Sequence, residues 1–190
     1  MELINISKSY NGERVLENVS LSVGRGDTLM LYAASGSGKT TLLRIIMGLE
    51  KPDSGELHGV PKRISAVFQE DRLPEEFTAV KCVKMTCGAD KAEILRHLAE
   101  VGLSGLGSKR VKELSGGMKR RVAIVRALMH SSDMLILDEP FNGMDAETKA
   151  LVIEYIKRHR SGRTLIFVSH SSEDAALLNA RTEYLRADSL

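Results

Sequence analysis

The stretch LMLYAASGSGKTTLLRIIMGL, Leu29 to Leu49, sets the frame for the whole chain. It joins an apolar run to a turn rich in glycine and serine, and then to Leu42, Leu43, Ile45 and Ile46 at helical spacing, which reads as buried strand, tight loop and amphipathic helix. A phosphate loop follows G-x-x-x-x-G-K-S/T, and here the first glycine is replaced by Ala33. A phosphate cradle needs successive backbone N–H groups turned inward and a helix start that adds about half a positive charge. Gly36, Gly38, Lys39, Thr40 and Thr41 keep that part intact, with Ala34, Ser35 and Ser37 between them. Position 33 lies at the strand end, before the curl. Alanine there costs little at negative φ and roughly 1 kcal/mol or more otherwise. The expectation is a working cradle, with Lys39 neutralising outer phosphates and the Thr40 hydroxyl ligating Mg²⁺. No G-x-G-x-x-G is present, so a nucleoside triphosphate is a better ligand than a dinucleotide.

Two further apolar runs end in chemistry: MLILDEP with Asp138 and Glu139, and TLIFVSH with His170. Such runs read as strands buried on both faces of a mostly parallel sheet, which needs helical crossovers; Thr41–Met47 and Ala146–Arg158 have the pattern. In open α/β sheets ligands sit beyond the carboxyl ends of the strands, so all three runs point at one edge. LINISKSYNGERVLENVSLSV, from residue 3, alternates and turns at Asn11-Gly12, which predicts an N-terminal antiparallel β flap. Residues 73–111 read as a short helical insertion, with a helix over Asp90–Val101 stopped by Gly102. The organisation is one domain over 1–190, its core formed by 1–72 and 112–190.

Of the 190 residues, 43% are apolar and 27% charged, with 4% aromatic and no Trp, which suits a globular chain with an aliphatic core. A net charge of +2 and the lack of a basic stripe with interleaved aromatics argue against nucleic acid. The run Lys119-Arg120-Arg121 reads as the solvated face of a helix whose other side carries Val122, Val125 and Met129. Cys82 and Cys87 have no partners at zinc spacing, and His58, His97 and His130 read as ordinary histidines. No apolar run approaches the ~20 residues that span a bilayer, and MELINISKSY has no signal-peptide parts. A membrane role would therefore need another chain to hold this one there.

Asp138 at a strand end is suited to holding Mg²⁺, and Glu139 to orienting and deprotonating an attacking water. In LSGGMKRRVAIVRAL, Ser115 can cap a helix whose first turn is exposed by Gly116-Gly117, a second anion-binding start that a simple triphosphatase does not need. With SGSGKTT, LSGGM at Leu114–Met118, MLILDEP and Ser169-His170 in this order over nearly the whole chain, the sequence resembles the ATP-binding cassette ATPases. LSGGM followed by basic residues and DEPF at Asp138–Phe141 are similar in particular to the importer ATPases for nitrate, sulfonate and taurine.

The resemblance implies a P-loop NTPase of α/β class that binds ATP and Mg²⁺ and pairs head to tail. The signature Ser115, Gly116, Gly117 and Met118 of one copy would close over the ATP of the other. It implies that Tyr10 stacks on adenine and that Gln69, in AVFQEDRL, senses Mg²⁺ and water and links the site to the insertion. His170 would contact the γ-phosphate, and Asp145 would communicate across the dimer. It further implies a separate transmembrane permease, an ATP-dependent homodimer or pairing with a related ATPase, a solute-binding protein in the same system, and a cytoplasmic position at the inner face of the membrane. The sequence departs from the pattern at Ala33, in the FNGMD loop at 141–145, and at Ser171; the insertion is short. The chain stops soon after His170, which gives the expectation of no trailing strands and no regulatory tail. A soluble non-transport cassette would carry a coiled-coil insertion, twin cassettes or a basic surface. A regulatory module that holds ATP without turnover would not need both Glu139 and His170.

Overall fold

In the computed structural model of the protein, residues 1–32 and 37–185 are described. Strands β1 (Glu2–Tyr10) and β2 (Glu13–Ser22) form the flap hairpin, and β4 (Ser54–His58) pairs with the free edge of β1 to give an antiparallel sheet of order β2-β1-β4. Asn11 and Gly12 both have positive φ, 51° and 85°, the geometry of a tight turn that matches strand twist. The second sheet runs β5 (Ile64–Val67), β6 (Met134–Asp138), β7 (Thr164–Val168), β3 (Thr28–Tyr32) and β8 (Arg181–Tyr184), every pair parallel. The strand β8 corrects the expectation that none follows His170. It escaped the sequence because Arg-Thr-Glu-Tyr has no apolar run; this edge strand depends on backbone pairing with β3.

The alternation of side chains along the parallel strands divides the core. Met30, Leu135, Leu137, Leu165 and Phe167 face α4 (Gly116–Met129), α5 (Ala146–His159) and the insertion helices α2 (Ala79–Lys84) and α3 (Lys91–Glu100). Their neighbours Leu29, Leu31, Met134, Ile136, Ile166 and Val168 face α1 (Lys39–Ile46) and the flap. A last short helix, α6 (Ser172–Leu177), follows β7. The insertion shares one apolar cluster with the core: Val83, Ile94 and Leu98 belong with Val122 and Val125. The α3 helix is capped by Asp90, which accepts from the Glu93 amide at 2.8 Å, and Gly102 follows it at φ 72°.

The run Lys119-Arg120-Arg121 is not a solvated face. Arg120 is only 6% exposed, and neither neighbour is fully exposed. Its guanidinium donates to the carbonyl oxygens of Phe68 and Gln69 and pairs with Asp71 at 3.2 Å. Arg126, further along α4, donates to the carbonyls of Arg72 at 3.2 Å and Asp71 at 3.4 Å. Arg121 turns back to its own helix and to the Val101 carbonyl at 2.9 Å. Arginine can be buried this way because its planar fork satisfies several carbonyl oxygens at once.

Candidate nucleotide site

The parallel strands bring the expected chemistry to one edge. Gly38 caps α1 in the left-handed region, φ 79° and ψ 8°. A Cβ there would stand 2.6 Å from both the Val15 carbonyl oxygen and Leu16 Cδ2, so conformation and space both demand glycine. This seats the first turn of α1 against the flap, with Ser37 and Lys39 buried. Burial pulls the Lys39 ammonium below the usual lysine range, while Glu139 and Asp138 oppose that shift. Ala33, Ala34, Ser35 and Gly36 lie outside the described residues.

The Thr40 hydroxyl is 3.1 Å from Asp138 Oδ2 at the end of β6. Asp138 is 4% exposed; burial pushes its carboxyl above the usual range, partly offset by the Thr40 hydrogen bond. Two oxygen donors converging beside a lysine are the set a hard divalent cation such as Mg²⁺ takes. Glu139, the next residue, has φ 49°, a backbone conformation that costs a non-glycine residue about 1–3 kcal/mol and tends to occur at functional sites. His170, just past β7, holds Nε2 2.8 Å from Glu139 Oε1. The pairing of Asp138 with Val168 in adjacent strands sets up this approach.

A cavity of about 280 Å³ is lined by Val15, Ser37, Gly38, Lys39, Thr40, Thr41, Gln69 and Glu139. A neighbouring cavity of about 300 Å³ shares Glu139 and adds His170, Asn142 and Lys149. Gln69 is exposed in the segment after β5, and the Arg120 fork holds its carbonyl. Sequence reasoning missed a buried group behind His170. Asp174, 1% exposed on α6, accepts from Ser169 Oγ at 2.5 Å and pairs with Lys149 of α5. An acid four residues after a histidine is too ordinary a spacing to single out, and its lysine partner is distant in sequence.

Other expected residues do not join these cavities. None of Ser115, Gly116, Gly117 or Met118 lines them. Ser115 caps α4 by accepting from the Met118 amide at 3.3 Å, leaving an exposed helix start. A Cβ on Gly117 would stand 3.2 Å from the Gly143 carbonyl oxygen, so the signature lies against the FNGMD loop. That loop buries Phe141, turns at Gly143 (φ 73°), and ends at Asp145, which caps α5 by accepting from the Thr148 amide at 2.8 Å. Tyr10 is 39% exposed at the flap tip, with Lys8 Nζ 5.4 Å from its ring centroid. Among the described residues, no helix is long and apolar enough to cross a membrane.

The profile of the ABC transporter family matches residues 16–142, more than half of the chain. The chain is 36% identical over 200 residues to the spermidine/putrescine import ATP-binding protein PotA of Mycoplasma capricolum, covering 95% of this chain and 57% of that protein. It is also 36% identical over 190 residues to the aliphatic sulfonates import ATP-binding protein SsuB 1 of Rhodococcus jostii, covering 95% of this chain and 77% of that protein. The fold superposes on the dimeric structure of MJ0796, a bacterial ABC transporter cassette, with a TM-score of 0.85 and 28% identity over 97% of this chain and 93% of that one. With a family profile over more than half of its length and relatives 36% identical over 95% of it, the chain belongs to the ABC transporter family.

Proposed function

We propose that this chain is the ATP-binding and ATP-hydrolysing subunit of an importer, working in pairs and driving a separate membrane permease. The observation that carries the reading is the 2.8 Å contact of His170 with Glu139, beside a cavity walled by Lys39, Gly38 and Thr40. In this reading Lys39 and the backbone amides of residues 33–41 bind the phosphates. Thr40, Asp138 and Gln69 hold Mg²⁺, which supplies positive charge to the phosphate oxygens. Glu139 orients a water and takes its proton, and His170 fixes Glu139 and contacts the terminal phosphate. Tyr10 stacks on the base.

The exposed start of α4 supports a two-copy site. Its free amides lie away from the cavities of the same copy, so Ser115, Gly116, Gly117 and Met118 would complete the site of a second copy, with Asp145 at the boundary between the two. Both MJ0796 neighbours are described as dimeric, one of them in a post-hydrolysis state bound to ADP and Pi. ATP bridging two copies would favour the closed pair, and hydrolysis would remove that preference. The names of PotA and SsuB support import rather than export. Residues 73–111 act as the insertion through which the motion leaves the core. A groove of about 560 Å³ lined by Leu49, Leu57 and Phe68 lies next to the Gln69 segment and suits a permease element. A cytoplasmic position at the membrane through that permease follows, with a solute-binding protein as a further member of the system.

The test is phosphate release from Mg-ATP by wild type and Glu139→Gln, with dimerisation followed by light scattering. The reading requires turnover in wild type, its loss in the variant, and an ATP-dependent dimer of the variant. Equal rates in both proteins would remove Glu139 from the chemistry and leave a binding module.

A further inference from the structure

Away from the nucleotide cavities, helix α3 of the insertion meets the end of α5. His97 and Glu100 stand one turn apart on α3, and His159 is the last residue of α5. One ligand atom from each lies within 4.8 Å of the other two. His159 Nε2 is 2.8 Å from Glu100 Oε2, and the His97 and His159 ring centroids are 4.6 Å apart with their planes tilted by 56°. His97 Nδ1 is 2.8 Å from the hydroxyl of Tyr155, which is 2% exposed, so Nε2 is the ring nitrogen left to bind a metal.

We propose that His97, Glu100 and His159 form a binding site for a divalent transition metal of the zinc class, joining the helical insertion to the core. Two imidazoles and a carboxylate are a donor set that Zn²⁺ takes, with a fourth position left for water or another ligand. Tetrahedral zinc with bonds of ~2.0–2.1 Å sets its donors roughly 3.3 Å apart. Reaching that spacing requires the His159–Glu100 contact to open slightly and His97 to close in, within the range of side-chain rotation. The Tyr155 hydroxyl supplies the outer hydrogen bond that fixes tautomer and ring orientation in metal-ligating histidines. His97 and His159 line a cavity of about 580 Å³ together with Cys87, Glu93 and His130, which gives a metal access from solvent. Arg158, which pairs with Glu100 at 3.0 Å, is 69% exposed and free to swing into solvent when the carboxylate takes a metal.

The ligands come from two helices separated by the signature helix in sequence, so an ion here would cross-link the insertion to the core. The test needs no nucleotide and stands apart from the ATPase reading. Chelator-treated protein is titrated with Zn²⁺ by calorimetry, and with Co²⁺ while its visible absorption reports coordination geometry. The expected result is one equivalent bound at micromolar affinity or tighter, a tetrahedral Co²⁺ spectrum, and a raised melting temperature with Zn²⁺. His159→Gln, His97→Asn and Glu100→Gln should each weaken Zn²⁺ at least tenfold and lose the thermal shift, with folding checked by circular dichroism. Absence of Zn²⁺ binding by wild type overturns the proposal. So does wild-type affinity in Glu100→Gln, a half-exposed position whose replacement leaves the fold in place. In either case the cluster is a hydrogen-bonded histidine and glutamate pair and nothing more.

Discussion

His170 Nε2 lies 2.8 Å from Glu139 Oε1, across the carboxyl ends of two adjacent parallel strands. The histidine fixes the one carboxylate that borders both cavities, on a residue whose backbone is already held at positive φ. Glu139→Gln preserves size and a hydrogen bond to His170 and removes the basic group. Phosphate release should fall by about 10²–10⁴, the range of general-base catalysis, with Mg-ATP affinity within a few fold of wild type. An assay of single-turnover release beside equilibrium binding separates the two effects.

Lys39→Ala acts on binding. A lysine bonded to phosphate contributes about 1.5–3 kcal/mol, so affinity for Mg-ATP should fall about ten- to a hundredfold. Binding by fluorescence with a labelled nucleotide checks this, and an unchanged affinity would take the phosphates away from the cradle.

Gly38→Ala tests the joint between flap and core. The left-handed backbone alone costs alanine about 1–2 kcal/mol, and its Cβ meets the Val15 carbonyl and Leu16 at 2.6 Å. A drop in the urea midpoint together with weaker nucleotide binding is expected. Gly12→Ala, at a hairpin tip with open space around it, should lower stability without touching the nucleotide.

Asp145 supplies a pH signature. The hydrogen bonds from Thr148 hold its carboxyl below the ordinary value of 3.8. A depressed folded pKa means that the unfolded state binds more protons, so the cap stabilises α5 above about pH 3.8 and loses this contribution as pH falls through the lower folded value. Asp145→Ala should therefore melt below wild type at pH 7, and the two melting curves should converge under strong acid.

Arg120→Met removes the fork that holds residues 68–71. The carbonyls of Phe68 and Gln69 and the Asp71 carboxylate lose their partner, and breaking such a buried pair costs about 3 kcal/mol. The denaturation midpoint should drop, and protease cleavage after Arg72 should speed up. Unchanged cleavage would mean that the segment is held by other contacts.

Most of the architecture is legible in local pattern. The strands β3, β6 and β7 are continuous apolar runs, Asn11-Gly12 dictates its turn, and Asp90, Ser115 and Asp145 cap the helices they precede. Lys39, Thr40, Asp138, Glu139 and His170 come together because parallel strands deliver their ends to one edge. What escapes the sequence depends on distant partners. Arg120 has the sequence texture of a surface charge and becomes internal because carbonyls some fifty positions earlier receive it. Lys149 and Asp174, and His97 with His159, meet only once the helices are packed. The polar strand β8 has no burial pattern to betray it.

The α4 helix carries an exposed end at Ser115 and, five residues on, the guanidinium that grips the Gln69 carbonyl. At about 1.5 Å per residue this is roughly 7.5 Å of unbroken helix, with no hinge between the two. A rigid rod so short cannot absorb displacement. On the proposed two-copy reading, a load placed on the tip by a second protomer's nucleotide would reach the Gln69 carbonyl as a pull through Arg120.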